Sequence, residues 1–197
     1  MQGLTNNELR VIDFLIRNFN ERININGIAK RLNLSPRGAY KILKKLERIK
    51  IILPEGIGNG IFYKMNYDDE LAKKVSAFVL TQKDMNKYAL IQAENLKVVK
   101  KYVLCCALFG SIVHNGEKAN DIDVMLVFQK ENYKKIYKEI DMLNSMSLKR
   151  IHKLVQTPKD LANNIKKGDK VVLDIIKKGQ FLWGAEIIVE AIKNGSR

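Results

Sequence analysis

The sequence predicts an α+β protein in two parts: three short helices closed by a β-hairpin, then a small mixed-sheet domain. Three observations carry this prediction. Over residues 1–66, apolar residues recur at helical spacing between capping signals, then fall into two strand-like runs around a Gly-rich turn. From Tyr102 to Phe128, two strongly apolar runs flank a polar loop, as expected of buried strands. The length of 197 residues, 46% of them hydrophobic and 28% charged, suits a globular chain with room for two small domains.

Thr5-Asn6-Asn7-Glu8 has the form of a capping box, and Leu9, Ile12, Ile16 and Phe19 follow at helical spacing, so a first helix is expected at about 6–19. Ile23-Asn24-Ile25 is a short extended piece. Asn26 is the expected cap of a second helix, roughly 27–32, with Ile28, Ala29 and Leu32 inward. Asn33 suits a tight turn because Asn tolerates the left-handed conformation. Ser35-Pro36 then starts a third helix, with Ser as N-cap and Pro in the first turn, running to about Ile49. Ile51-Ile52-Leu53 and Ile61 to Met65 read as strands, joined by a loose Pro/Gly turn from Pro54 to Gly60. The Gly56-Ile57-Gly58-Asn59-Gly60 run is not read as a phosphate loop, since a strand-like segment follows it where a helix start is needed.

Net charge adds a partner class. The chain carries 35 Lys/Arg against 21 Asp/Glu, a net +14, which points to a polyanion without choosing among nucleic acid, anionic membrane and phosphorylated ligand. Residues 1–66 hold 12 Lys/Arg and 5 Asp/Glu, so this third of the chain supplies half of the surplus. In the third helix the charge is ordered. Ala39, Ile42, Leu43, Leu46 and Ile49 form an apolar stripe, while Arg37, Lys41, Lys44 and Arg48 form a basic one, flanked by Tyr40 and Lys45. Three helices, a tight turn and a trailing hairpin resemble the winged helix-turn-helix domains of prokaryotic transcription regulators. The resemblance implies binding to double-stranded DNA, with the third helix in the major groove. Arg37 and Tyr40 are candidates for base or sugar contacts, and Lys41, Lys44, Lys45 and Arg48 for phosphates. The alternative is a solvated helix face.

Residues 67–101 read as a helical connector. Asp68-Asp69-Glu70 open one helix, with Leu71, Val75, Phe78 and Val79 as its stripe. Asp84 or Asn86 caps another, with Leu90, Ala93, Leu96 and Val99 inward. This connector is also the place expected for contacts in a homodimer.

The remainder, 102–197, carries the chemistry. A strand-like run from Tyr102 to Phe109 ends in Gly110-Ser111, a polar loop spans His114 to Asn120, and a second strand starts with Asp121-Ile122-Asp123. Period two puts Asp121 and Asp123 on one strand face. Adjacent carboxylates repel, and a divalent cation between them turns that cost into binding. Gly110 leaves space for a phosphate, and Ser111 offers a hydroxyl and a backbone N–H at an expected helix start.

Strand, Gly-Ser, loop and Asp-x-Asp strand resemble the nucleotidyltransferases of the polymerase β superfamily, in their minimal prokaryotic branch. The segment Val171 to Gly184, ending Phe181-Leu182-Trp183-Gly184, is similar to the helix–Gly–strand–aromatic–Gly ending of those domains, so the likeness spans roughly 95–190. It implies that Asp121 and Asp123 are the catalytic carboxylates and hold Mg²⁺, with Gly110 and Ser111 on the triphosphate of ATP or another nucleoside triphosphate. Lys118, in the loop, is either a further phosphate contact or a solvated lysine. The implied reaction moves a nucleoside monophosphate to an acceptor. Because minimal members resemble the antitoxins of toxin–antitoxin pairs, the acceptor implied is a protein such as a HEPN-type toxin.

The sequence departs from that pattern. Asn120 stands where Ser is common, and His114-Asn115-Gly116 where Arg-Gly is common. A third carboxylate is expected on the strand after the next helix, which is predicted at Arg150 to Gln156 and holds no acid. Two metals are implied by the family, and the second lacks this ligand. Asp141 and Asp160 lie outside that strand, and His152 is either on the acceptor side or an ordinary surface histidine. The alternative function is therefore a transcription regulator whose degenerate domain binds a nucleotide or a partner without turnover. A template-independent polymerase is a weaker reading for a chain of this size.

Met1 to Arg10 is polar, which predicts no signal peptide, and the longest apolar run, Val103 to Phe109, is far below the ~18 residues of a membrane span, so a cytoplasmic protein without membrane contact is expected. Cys105 and Cys106, the two cysteines, read as small hydrophobes of a buried strand.

Overall fold

Thr5 opens the first helix as expected: its hydroxyl accepts from the Glu8 N–H and the Glu8 carboxylate accepts from the Thr5 N–H, 2.9 Å, closing the capping box. The computed structural model describes residues 3–82 and 84–195, and they divide into two compact units at Val79/Leu80. The division falls inside the stretch 67–101, so the expected connector is shared between the units rather than standing apart.

In the first unit, α1 (Asn6–Arg17), α2 (Ile25–Leu32) and α3 (Pro36–Arg48) precede a hairpin of β1 (Ile52–Ile57) and β2 (Gly60–Met65), and α4 (Glu70–Thr81) follows, its last two residues past the division. The core is built from Ile12, Ile16, Ile28, Leu43, Leu46, Ile51 and Ile52, none of them exposed to any measurable degree. Asn33 takes φ 54° and ψ 47° at the end of α2, and Ser35 caps α3 through the Gly38 N–H at 3.1 Å. Two expectations are corrected. Asn24, not Asn26, caps α2, accepting from the Gly27 N–H at 2.9 Å, and its backbone also bridges to Phe62 of β2. The hairpin tip is tight rather than loose: pairing continues to Ile57 and Gly60, leaving only Gly58 and Asn59 in the turn, and Pro54 lies within β1. Asp69 caps α4 through the Ala72 N–H at 2.9 Å. The buried face of α4 is Ala72, Ser76, Val79 and Leu80, whereas Leu71 and Phe78 are about half exposed.

The second unit runs α5 (Lys87–Asn95), a 3₁₀ turn at Leu96–Val99, β3 (Cys105–Phe109), α6 (Ser111–Asn115), a 3₁₀ turn at Gly116–Lys118, β4 (Ile122–Val127), α7 (Tyr133–Met146), β5 (Ile151–Gln156), α8 (Pro158–Lys166), α9 (Lys170–Lys178), β6 (Gln180–Trp183) and α10 (Ala185–Gly195). Its four-stranded sheet has the order β5-β4-β3-β6, with β4 and β5 parallel and the other pairs antiparallel. The sheet is mixed, as predicted. One face packs against Leu96, Val99, Ile136 and Ile140 of the 3₁₀ turn and α7. The inward face of α5 is Ala89 and Gln92 rather than the expected Leu90 and Ala93, and Leu90 is half exposed. The polar loop expected from His114 to Asn120 is partly helical, formed by α6 and the 3₁₀ turn after it. Gly184, at φ +71°, closes the sheet: a Cβ there would lie 1.8 Å from the Leu104 carbonyl oxygen, so only glycine fits. Both cysteines are fully buried, and burial pushes their thiols well above the usual range, which removes them as nucleophiles. Among the described residues, no helix is long and apolar enough to cross a membrane.

Candidate functional site

β3 ends at Phe109, and antiparallel pairing sets Phe109 opposite Asp123 of β4. The chain then turns sharply at Gly110, at φ +69°, into the short α6. A Cβ on Gly110 would lie 2.3 Å from Asp123 Oδ2. The space that glycine leaves is thus filled by the Asp123 carboxylate, where the sequence suggested a phosphate. Ser111 begins α6, as expected. Asp121 lies one residue before β4, and Asp123 lies within it.

Parallel pairing of β4 with β5 then puts His152 beside Asp123. His152 Nδ1 is 3.1 Å from Asp121 Oδ2 and 3.9 Å from Asp123 Oδ1. One ligand atom from each of the three residues lies near enough to the others for the three to form a group that could hold a metal ion. His152 is half exposed and faces the carboxylate pair from the neighbouring strand. Among the described residues, the group that could hold a metal ion there adds His152 to the two aspartates and no further carboxylate. Asp141 sits 3.8 Å from the Lys153 ammonium, and Asp160 caps α8 by accepting from Thr157. Burial, followed by the negative charge of Asp121, pushes the Asp123 carboxyl above its usual range, and His152 partly opposes this.

Gly110 and Ser111 also line a cleft of about 280 Å³ with Val113, His114, Asn115, Asp174 and Lys178. Lys178 and Asp174, on α9, pair at 2.6 Å. Sequence spacing did not single out either one, because they lie more than sixty residues beyond Gly110. Lys118 is exposed at the end of its 3₁₀ turn and is not part of the cleft lining.

Two further side chains hold the site's backbone. Asn86 Oδ1 accepts from the Ala89 N–H, 2.8 Å, while its Nδ2 donates to the carbonyls of Ile112 and Val113 at 2.8 and 3.3 Å, fixing α6 to α5. The Lys149 ammonium donates to the carbonyls of Glu117 and, at 2.6 Å, Ala119, and lies 4.8 Å from the Tyr88 ring centre. It clamps the turn that leads into Asp121. Of Asp84 and Asn86, the two caps the sequence offers, Asn86 is the one used; nothing in the sequence marks Lys149.

In the first unit, α3 presents Arg37, Tyr40, Lys41, Lys44 and Arg48 as exposed side chains along one helix. Lys44 pairs with Glu47 at 2.9 Å. Lys45 is turned inward: its ammonium lies 2.8 Å from a carboxylate oxygen of Glu8, which is itself buried.

Residues 92–184 match the sequence model of the family described as "Polymerase beta, Nucleotidyltransferase". This segment is a polymerase β-type nucleotidyltransferase domain. It follows the winged-helix unit in the same chain. Gly110-Ser111, Asp121, Asp123 and His152 lie within the matched range. No curated protein matches the chain. Among solved structures, the Staphylococcus aureus MepR, a transcription regulator of the multidrug efflux pump MepA, is 14% identical, with 73% of this chain and 81% of that chain covered at a TM-score of 0.36. The zinc-responsive MarR family member ZitR of Lactococcus lactis is 19% identical, with 74% and 77% covered and a TM-score of 0.33. Likenesses this weak assign nothing; the winged-helix description rests on the three helices and paired hairpin themselves.

Proposed function

We propose that this protein binds double-stranded DNA through α3 and the hairpin, and that its second unit transfers a nucleoside monophosphate from a nucleoside triphosphate to an acceptor, releasing pyrophosphate. The carrying observation is Gly110, which lines the cleft while making room for the Asp123 carboxylate beside Asp121. Triphosphate and carboxylates thereby share one glycine. Asp121 and Asp123 hold the divalent cation, taken as Mg²⁺ from the family, and the cation supplies charge neutralisation on the transferring phosphorus. Gly110 and Ser111 bind the phosphates from their backbone and hydroxyl, and Lys178 adds a positive charge to the same cleft. The acceptor is a protein, in the manner of an antitoxin acting on a HEPN-type toxin, and the winged-helix unit binds an operator in the cytoplasm.

Labelled nucleoside triphosphates incubated with the full chain, divalent cation and candidate acceptors test the enzyme. Label transfer that disappears in Asp121→Ala plus Asp123→Ala is the expected result. No transfer, or transfer that survives the double substitution, would overturn it. A second reading is favoured by one observation, the histidine at the place of the third carboxylate: a domain that binds nucleotide without turnover and changes operator affinity. A nucleotide-dependent shift in DNA affinity in the absence of label transfer would identify it.

A further inference from the structure

The parallel β4–β5 register, rather than any motif, brings His152 to the two aspartates. Cis ligands on one ion, at metal–ligand distances near 2.1–2.2 Å, lie about 3 Å apart, and opposite ones about 4 Å apart. His152 Nδ1 stands 3.1 Å from Asp121 Oδ2 and 3.9 Å from Asp123 Oδ1, within that range. The side chains are one-quarter to one-half exposed, which leaves open coordination positions for water or a phosphate oxygen. Asp141, Asp160 and Asp174 are engaged elsewhere, with Lys153, Thr157 and Lys178 respectively.

From this geometry we infer that His152 is the third protein ligand of the divalent cation, and that the resulting two-carboxylate, one-imidazole set selects Mn²⁺ over Mg²⁺. The placement of the ion rests on the reading above; the ligand and the selectivity are new to this chain. A third carboxylate would give a set of oxygen donors with three negative charges, which suits Mg²⁺. Imidazole removes one charge and substitutes a softer nitrogen donor. Mg²⁺ loses most by that exchange, since it takes oxygen ligands in a near-ideal octahedron and dehydrates reluctantly. Mn²⁺ accepts carboxylate readily and lies within the first-row series whose affinity for nitrogen ligands exceeds that of Mg²⁺. His152 therefore keeps a cation at the site while changing which one is held.

Mn²⁺ is titrated into the full chain, and bound ion is read by electron paramagnetic resonance, with pulsed measurement of nitrogen coupling and with Mg²⁺ as competitor. The expected result is a ¹⁴N coupling from imidazole, and displacement of half the Mn²⁺ only at a Mg²⁺ excess of at least about tenfold, the scale on which even outer-shell partners move metal affinity. His152→Ala removes the coupling and lowers the Mn²⁺/Mg²⁺ ratio about tenfold. His152→Asp removes the coupling and binds Mg²⁺ more tightly than the natural chain. His152 is half exposed, so both variants are expected to fold, and circular dichroism checks it. Failure of the natural chain to bind Mn²⁺, bound Mn²⁺ without ¹⁴N coupling, or an unchanged ratio in His152→Ala would each overturn the inference. Label transfer is measured separately. Transfer that depends on Asp121 and Asp123 while His152→Ala binds Mn²⁺ normally would reject the ligand and leave the proposed reaction intact; ¹⁴N-coupled Mn²⁺ without any transfer would do the reverse.

Discussion

Gly110 is the residue on which the site turns. Its φ of +69° is open to glycine, and a methyl there would collide with Asp123 Oδ2 at 2.3 Å. Gly110→Ala is expected to cost about 1–3 kcal/mol in stability from backbone strain and to displace the Asp123 carboxylate. Urea denaturation and Mn²⁺ titration of the same variant check the two effects, and unaltered metal binding would refute the second. Asp123 itself is held above its usual range by burial and Asp121, so its charged form weakens the metal-free fold. Asp123→Asn is therefore expected to raise the melting temperature of metal-free protein at neutral pH. The gain fades as pH falls through the raised pKa, because Asp123 is then protonated anyway. Glu8 is the opposite case. Burial raises its pKa, but the hydrogen bonds from Lys45 and Thr5 and the Lys45 charge outweigh that and leave it lowered. Its stabilisation is present above the ordinary Glu range and lost as pH falls through the lowered value. Glu8→Gln is expected to cost about 1 kcal/mol at neutral pH and little in acid, read from thermal melts across pH. Lys45 thus holds α3 to α1.

At the scale of elements, α3 separates two jobs by face: Ala39, Leu43 and Leu46 are buried, while Arg37, Tyr40, Lys41, Lys44 and Arg48 meet solvent. If α3 contacts duplex DNA, Lys41→Ala/Lys44→Ala lowers affinity and flattens the slope of log K against log salt by about 2, one for each phosphate contact removed. Filter binding from low to moderate salt checks this, and an unchanged slope would count against α3 as the interface. The link between α5 and α6 rests on Asn86. Asn86→Ala removes a cap and two carbonyl partners, for an expected loss of about 1–3 kcal/mol. Hydrogen exchange at the Ala89 amide should quicken with it. Helical spacing misread α4 and α5 because two adjacent faces of each satisfy the period. Packing chose the faces with small residues, Ala72 and Ser76 in α4 and Ala89 in α5, and left Leu71, Phe78 and Leu90 half exposed. Ser76 is tolerated inside because its hydroxyl donates to the Ala72 carbonyl at 2.7 Å.

For the molecule as a whole, the two units should report different ligands. Hydrogen exchange with nucleoside triphosphate and divalent cation is expected to slow amides around β3, α6 and β4, and exchange with duplex DNA to slow those of α3. Slowing in the first unit on adding nucleotide alone would favour the regulatory reading over the enzymatic one. The sequence by itself determined what local chemistry dictates: the Thr5–Glu8 capping box, the left-handed Asn33, the amphipathic α3, the two buried strands and the Gly-Ser and Asp-x-Asp pair that end and begin them. Those signals lie within a few residues of one another, and period and capping report them directly. Tertiary structure alone decided that the space at Gly110 belongs to Asp123, that Lys149 clamps the turn before Asp121, that Lys45 faces Glu8, and that His152 stands beside the carboxylate pair. Each joins residues far apart in the chain, and it is sheet register and helix packing that set such distances.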